Sequence, residues 1–436
     1  MQDTDDYAHL LTLEWNLEDG GSCGVVVTLD ERTPPDAHAI VQRRRRLNGT
    51  LIASGATPLL GTLALAADAF VVTRGEPPHA TTSILAGYPW FSDWGRDAMI
   101  SLPGLLLSTG RTKEALSVLR TFAGAIDGGL VPNRFSDAGG PAEYNTIDAS
   151  LWFVEAVRAY VAATDDVSAL LDLFPAVQAV IDGYRNGTQF GIGLDGDGLV
   201  HGGAPGVQLT WMDAKVGDRV ITPREGKPVE INALWYNALR ACEGFARRVG
   251  RPAAGYRAMA DKTASAMERF WNAQTGYCFD VLDGPGGDDP TLRPNQLFTV
   301  SLEATAFDQI RARAIVDVCA ARLWTPMGMR TLDPAAGAYV GRYGGPQEQR
   351  DAAYHQGTAW PWLIGPFARA HLRAYGDPVR TAAFVEPLVD ALAADGLGTM
   401  PEIAGGDPPH APGGCPAQAW SVAELLAVLQ LLGRGN

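Results

Sequence analysis

The chain has 436 residues, 46% of them hydrophobic, and a formal net charge of −14. An acidic chain repels phosphate backbones, so we expect no nucleic-acid partner. No uninterrupted apolar stretch reaches the ~20 residues of a membrane span, and "MQDTDDYAHLL" lacks the order of a signal peptide. The five cysteines are scattered without a CxxC pair. We therefore expect a cytoplasmic protein without membrane contact, with buried and unpaired cysteines.

The first 36 residues differ in pattern from the rest of the chain. Residues 11–31 read as two short strands around a glycine turn, which predicts either the remnant of an N-terminal β-rich domain or a β-ribbon packed on the main body. The main body is expected over residues 37–436. The basic run "RRRR" at 43–46 lies in a helical pattern and is interpreted as a solvated face.

Helical periods separated by loops follow from residue 37 onward, and the fold class is therefore predicted to be all-α. Capping signals such as Asp165/Asp166 and Gly250 support the assignment. The predicted helices are 37–48, 57–69, 95–108, 112–126, 146–164, 167–186, 229–249, 253–272, 295–302, 307–323, 355–375, 378–394 and 418–433. About a dozen helices, often paired by short turns, fit an (α/α)6 barrel.

Long loops between these helices concentrate aromatic, carboxyl and amide side chains. A sugar has an apolar C–H face and a rim of hydroxyls, so flat aromatic rings beside hydrogen-bonding groups are typical of glycan sites. For any single residue, a helix cap or a structural ion pair is the better explanation. The recurrence across loops favours binding. The candidates are Trp90, Phe91, Asp93, Trp94, Arg96, Asp97, Asn145, Asp148, Trp211, Asp213, Lys215, Glu230, Asn232, His355, Gln356, Trp360, Glu402 and Trp420.

Other kinds of catalytic site find little support in the sequence. The seven histidines show no HExxH or paired spacing, so we expect no metal site. The chain contains no GxSxG, GxxxxGK[ST] or GxGxxG motif, and no cofactor is expected. What remains is general acid–base chemistry on glycans, in which two carboxyl groups flank the scissile bond.

Several of these stretches resemble a known family. "GYPWFSDWGRDAMISLPGLLL", "YNTIDASLWF", "LTWMDA", "PVEINALWYNAL", "RPNQLFTVSL", "YHQGTAWPW" and "PEIAGG" are similar, in order, to the amylo-α-1,6-glucosidase domain of glycogen debranching enzymes, over about residues 45–433. A more distant likeness to glucoamylases lies in "DWGRDA", where Arg96–Asp97 matches the pair that holds the non-reducing glucose.

The resemblance implies an (α/α)6 barrel of the six-hairpin glycosidase type. It also implies inverting hydrolysis that releases glucose from α-1,6 branch stubs of glycogen or another branched α-glucan, with Asp213 as general acid and Glu402 as general base. Members of this type usually carry an N-terminal β-rich domain, so residues 1–36 would be its end and the chain a truncated form.

Alternatives stay open at this stage. A sugar epimerase would use a pair of histidines, and His355 has no evident partner in the sequence. A glucoamylase-like exo-hydrolase of other α-glucosides and a non-catalytic glucan-binding protein are the other candidates. The sequence does not define the oligomeric state, the preferred glucan length, or whether another protein supplies 4-α-glucanotransferase activity.

Overall fold

Helices dominate the computed structural model, which describes residues 12–28, 36–75, 78–135, 140–394 and 398–433. Several helices begin where an aspartate or threonine side chain accepts from a first-turn amide, as Thr57, Asp166 and Asp308 do. The helices in the described ranges are α1 Ala37–Ser54, α2 Pro58–Phe70, α3 Gly95–Leu102, α4 Thr112–Ala123, α5 Ala149–Thr164, α6 Val167–Asn186, α7 Val229–Arg248, α8 Ala254–Met267, α9 Phe298–Ser301, α10 Gln309–Arg322, α11 Gln347–Ala353, α12 Ile364–Tyr375, α13 Pro378–Ala394 and α14 Ala419–Leu431.

Short antiparallel strands occupy the loops between the helices. The strands are β1 Val71–Arg74, β2 Thr81–Ile84, β3 Gly87–Tyr88, β4 Gly193–Leu194, β5 Val200–His201, β6 Lys215–Val216, β7 Arg219–Val220, β8 Lys227–Pro228, β9 Trp271–Asn272, β10 Tyr277–Cys278, β11 Val281–Gly284, β12 Gly287–Asp289, β13 Trp324–Thr325, β14 Gly328–Arg330, β15 Ala359–Trp360, β16 Ile403–Ala404, β17 Pro412–Gly413 and β18 Ala417–Gln418. The largest sheet has the strand order β13-β14-β15-β16-β17, and β3 pairs with β18.

Six helices form a closed ring of contacts. In chain order α3, α5, α7, α9, α12 and α14 each pack against the next, and α14 packs against α3. Every residue of α3 and most residues of α14 are buried, as expected of helices covered on all sides. A second set of long helices packs against this ring: α2 on α14, α4 and α6 on α5, α8 on α7, and α10 and α13 on α12. Helix α1 packs on α2, outside that set.

The ring helices α3, α5, α12 and α14 meet at their N-terminal ends. Arg96 at the start of α3 bonds to Asp148 just before α5, and Gln418 just before α14 bonds to Asp97. Trp362, which precedes α12, stacks on Trp420 at the start of α14. The loops that precede these helices therefore converge at one end of the ring, where the candidate residues lie.

The N-terminal segment departs from the expectation. Residues 12–28 contain a turn at Asp19–Gly20 but no strand within that described stretch, so the two predicted strands are wrong there. Almost all of these residues are exposed, and a pair of strands without a third layer has nothing against which to bury an apolar face. The rest of the predicted N-terminal unit, residues 1–11 and 29–35, lies outside the described residues.

Three smaller expectations can be compared with the structure. Cys242, Cys278, Cys319 and Cys415 are buried free thiols as predicted, whereas Cys23 is exposed. The basic run on α1 is exposed, and Arg44 there pairs with Asp68 at 2.7 Å. By length and composition alone, α6 could cross a membrane, but it packs between α4, α5 and α7, and core helices commonly pass the same test.

Candidate active site

Arg96 is the central cation of the convergent loops. It lies in the first turn of α3, and its side chain is only 3% exposed. Its Nε donates to both oxygens of Asp148 at 2.9 and 2.8 Å, and its Nη1 donates to Asp213 Oδ2 at 2.9 Å. Thr146 donates its hydroxyl to Asp148 and accepts from Arg96 Nη2 at 3.2 Å. One buried arginine thus orients carboxyl groups from two different loops.

Asp213, the predicted acid, is accessible to solvent. It follows Trp211 in the loop before β6, and its side chain is 32% exposed although its neighbours are buried. Burial in the surrounding wall raises the pKa of this carboxyl, while Arg96 lowers it and Asp148 raises it. A carboxyl group that tends to keep its proton, yet can be reached from solvent, is suited to donate that proton to a substrate.

Glu402, the predicted base, lies immediately before β16. Its carboxylate accepts from the hydroxyl of Tyr354 and from the backbone N–H of Cys415, the latter at 2.8 Å. Burial raises its pKa to about 7, the two donors lower it, and the charge of Asp213 raises it. Because this last effect requires proximity, the two predicted catalytic carboxyl groups share one electrostatic environment.

Asp97 is a third carboxyl group at the same place. Burial raises its pKa to about 8, Arg96 lowers it, and the charges of Asp213 and Glu402 raise it. Gln418 Nε2 donates to Asp97 Oδ1 at 3.3 Å, a bond that depends on the pairing of β18 with β3. The site therefore combines several carboxyl groups that resist ionisation with one arginine.

An aromatic cluster adjoins these polar groups. The ring of Trp211 contacts His355, Trp360 and Trp362 edge-to-face at 5.3–5.4 Å between centroids, and Trp420 stacks on Trp362 at 5.0 Å. Burial lowers the pKa of His355 well below its usual value, so the ring is neutral. Its Nδ1 accepts from Ala214 N–H at 3.4 Å, and its Nε2 has no protein partner among the described residues.

Five other candidates are more exposed than Arg96, and their aromatic members, Trp90, Phe91 and Trp94, are called the rim aromatics. Trp90 is 57% exposed, and Phe91 and Trp94 are half-buried with their rings edge-to-face at 6.4 Å. Lys215 is half-buried in β6, and Asn145 accepts from Asn133 Nδ2 at 3.4 Å. These side chains lie on the same segments of chain that carry the arginine and the carboxyl groups around it.

Four candidates occupy positions with their own protein partners, and two of them are acidic. Asp93 is buried and accepts from Ser83 Oγ at 2.7 Å and from Arg74. Glu230 forms a buried ion pair with Arg224, apart from the Arg96 cluster. The structure does not place either carboxylate with the catalytic candidates.

The remaining two are amides with complete or nearly complete hydrogen bonding. Asn232 bonds to the backbone N–H and C=O of Val200, at 2.7 and 3.0 Å. Gln356 donates to Thr222 Oγ1 at 2.9 Å and accepts from Arg293 at 3.1 Å. Asn232 thus ties the first turn of α7 to β5, and Gln356 ties its own loop to those of Thr222 and Arg293.

The sequence did not single out three groups that hold the site together. Tyr354 directly precedes His355 in "YHQGTAWPW", and its aromatic neighbours were the only signal for it. Thr146 lies two residues before Asp148, where it looks like an ordinary helix-start residue. The N–H of Cys415 is a backbone group, which no pattern of side chains reveals.

Comparisons with known proteins identify the family. The model of the family described as amylo-alpha-1,6-glucosidase matches residues 65–427. The glycogen debranching enzyme of Saccharomyces cerevisiae is 29% identical over 393 residues, covering 67% of this chain and 25% of the yeast protein. The chain thus spans about a quarter of the length of that curated relative.

Solved structures share the fold at low identity. A GH63 mannosylglycerate hydrolase from Thermus thermophilus, in complex with Tris and D-glycerate, superposes with a TM-score of 0.62 at 13% identity, covering 86% of this chain and all of the other. An uncharacterized conserved protein from the same organism gives a TM-score of 0.60 at 15% identity, covering 80% and 95%. With the family model spanning most of its length, the chain belongs to the amylo-α-1,6-glucosidase family of glycoside hydrolases.

Proposed function

We propose that this protein is an inverting glycosidase that releases glucose from α-1,6 branch stubs of glycogen or limit dextrin. Asp213 donates a proton to the glycosidic oxygen, and Glu402 activates the water that attacks the anomeric carbon. The observation that carries the proposal is the pair itself, because two carboxyl groups from different loops are held in one site. Arg96 bonds to Asp213, Tyr354 bonds to Glu402, and the rings of Trp211 and Tyr354 both contact His355.

The scaffold proposed for this chemistry is an (α/α)6 barrel. Its inner layer would be the ring α3, α5, α7, α9, α12 and α14, and its outer layer α2, α4, α6, α8, α10 and α13. Six inner helices that meet at their N-terminal ends offer six loops around one axis. Such an arrangement explains why candidate residues recur in loop after loop along the chain.

The charge of the site supports a neutral substrate. Asp148 and Asp213 pair with the buried cation Arg96, and Arg96 and Glu402 both act on the charge of Asp97. A sugar bearing a carboxylate, such as mannosylglycerate, would place a negative charge beside a cluster of carboxyl groups that already resist ionisation, whereas glucose hydroxyls can donate to carboxyl oxygens and accept from the arginine. We therefore propose an uncharged glucan, with Arg96 and Asp97 holding the terminal glucose and the rim aromatics stacking on its rings.

The direct test is release of free glucose from an α-1,6-branched limit dextrin. Asp213→Asn is expected to lower kcat by several powers of ten while substrate binding is largely kept, because the variant removes a proton donor and keeps the shape. Near-normal turnover would rule out this acid. If wild type binds the dextrin without releasing glucose, the protein is a glucan-binding module, and release of glucose only from linear α-glucosides would indicate the glucoamylase-like alternative.

The stereochemistry of the product tests the role of Glu402. An inverting enzyme places a water molecule between base and substrate, so proton NMR of fresh hydrolysate should show β-glucose first, followed by mutarotation. An initial α-anomer would require a nucleophile and would overturn the assignment of Glu402 as a base.

A further inference from the structure

Both oxygens of the Glu402 carboxylate are occupied by donors from the protein. Oε1 accepts from the hydroxyl of Tyr354, and Oε2 accepts from the backbone N–H of Cys415 at 2.8 Å. The backbone of Glu402 also pairs with Cys415, since the Glu402 N–H donates to the Cys415 carbonyl at 2.8 Å. The two donors lie on different segments of the chain, one before β15 and one before β18, so the carboxylate plane is fixed from two sides.

Tyr354 is itself held firmly in place. Its backbone carbonyl accepts from Trp360 Nε1 at 3.0 Å and from the hydroxyl of Thr358 at 2.5 Å. Its ring packs against Trp360 at 5.0 Å and against Tyr343 at 5.9 Å between centroids. The ring of His355 contacts it as well, at 4.8 Å. With its backbone carbonyl bonded and three rings packed around it, the phenol oxygen has little freedom to leave the carboxylate.

We propose that Tyr354 is the positioning residue of the catalytic base, holding the Glu402 carboxylate so that its free lone pairs face the attacking water. This inference rests on the proposed function and extends it to a residue outside the reacting pair. The alternative is that Tyr354 only fills space beside the site, in which case its hydroxyl would be dispensable for catalysis.

The charges around Glu402 set the direction of the expected effect. The titratable groups that act on it or feel its charge are Asp97, Asp213, Tyr343, Tyr354 and Cys415. Burial raises the pKa of the Tyr354 phenol well above its usual value, so it remains a donor at neutral pH. Its hydrogen bond lowers the pKa of Glu402, and removing the hydroxyl should therefore raise that pKa.

The test compares Tyr354→Phe with Tyr343→Phe. The matched control removes a neighbouring hydroxyl and leaves both donors to Glu402 in place. Tyr354→Phe is expected to lower kcat about 10- to 100-fold with little change in KM, and to move the acidic limb of the pH profile upward by about one unit. The control Tyr343→Phe should leave the acidic and basic limbs of the pH profile at their wild-type positions. A uniform loss at every pH with an unmoved acidic limb would show a purely structural role and overturn the proposal.

A substrate-free measurement separates this inference from the proposed function. Carbon-13 NMR of labelled glutamate carboxyls, with Glu402→Gln to assign the signal, reports the Glu402 pKa directly. If Tyr354→Phe raises the pKa of Glu402 but wild type releases no glucose, the role of the Tyr354 hydrogen bond stands and the hydrolase function is refuted. Glucose release by wild type without a shift of that signal would refute the role of Tyr354.

Discussion

Arg96 bonds to two carboxylates that have different tasks. Asp148 is 1% exposed and accepts from Nε through both oxygens, so it balances the charge of the arginine within the protein. Asp213 accepts from Nη1 alone and stays partly exposed. If Asp148 were absent, the whole positive charge would act on Asp213 and favour its ionised form. The buried carboxylate of Asp148 thus favours the protonated form of Asp213, the proposed acid.

The first prediction concerns Asp148→Asn. The charge of Asp148 raises the pKa of Asp213, so the variant should lower that pKa and move the basic limb of the kcat/KM profile to lower pH. Asp93→Asn is the matched control, since it neutralises another buried aspartate, one that pairs with Arg74 instead. An unchanged basic limb in Asp148→Asn would contradict the proposed division of tasks.

The second prediction concerns Asp97 and the stability of the fold. Its pKa in the folded state is about 8, above the ordinary value of 3.8, so the folded protein keeps this proton where the unfolded chain has released it. The associated stability is fully present below about pH 4 and is lost as the pH rises through 8. Asp97→Asn should therefore reduce the difference in unfolding free energy between pH 5 and pH 8 by about 1–3 kcal/mol.

Urea denaturation of both proteins at the two pH values measures this difference. Asp172→Asn, at an exposed aspartate on α6 that pairs with Arg120, should leave it as in wild type. The same Asp97 variant should also lose glucose release, because we propose that this carboxyl binds the terminal glucose. A variant that keeps the wild-type pH dependence would mean that Asp97 is ionised in the fold.

At the scale of elements, the helices could be predicted because their apolar periods and caps are repeated over many residues. The predicted 167–186 agrees with α6, and 378–394 agrees with α13. Helix α11, "QEQRDAA", was not predicted because seven mostly polar residues carry no apolar stripe. The two-residue strands were not predicted either, since an alternation needs more than one period to be visible.

The site could be predicted only in part, for a related reason. Side chains such as Asp213 and Glu402 stand out within motifs, whereas the ion-pair partner of a carboxylate depends on which loops meet. Asp93 and Glu230 carry the same chemistry as Asp148, but the fold gives each of them an arginine outside the Arg96 cluster. The sequence shows which side chains are present, but the packing of the ring helices determines which of them lie in one site.

The third prediction concerns the crossing of α3 and α14, which closes the ring. A Cβ on Gly104, in the π-helical turn that continues α3, would lie 2.0 Å from the carbonyl oxygen of Ala423. Gly104→Ala should therefore lower the unfolding free energy by about 1–3 kcal/mol, because the helices must separate. Gly244→Ala on α7, where a Cβ meets nothing within 4 Å, should stabilise the protein by up to about 1 kcal/mol. Thermal or urea denaturation measures both changes, and equal effects would contradict the close crossing.

At the scale of the whole molecule, the core is continuous around the ring. One hydrophobic cluster extends from Leu60 to Leu429 and takes residues from every ring helix. A ring of this kind has no natural place to divide, since each helix in it contacts the helices on both sides. Cooperative unfolding as a single unit is the expected behaviour.

The fourth prediction follows from that continuity. A chain that stops at Gln418 lacks α14 and leaves α3, α12 and α2 without their shared neighbour. It should show no cooperative thermal transition, because the apolar faces of those helices would be open to water. A chain that stops at Gly433, the last described residue, is the control and should melt as wild type does. A sharp transition in the shorter chain would mean that the ring is not needed for folding.

The pairing of β3 with β18 has a consequence for the life of the protein in the cell. Gln418 bonds to Asp97 across 321 positions of sequence, so the ribosome must make all the residues between them before the two can meet. A polypeptide that stops before Gln418 contains Arg96 and Asp97. It lacks the side chain that bonds to Asp97 in the proposed glucose-binding site. If the proposed function is correct, binding of the terminal glucose becomes possible only after residue 418 has been made.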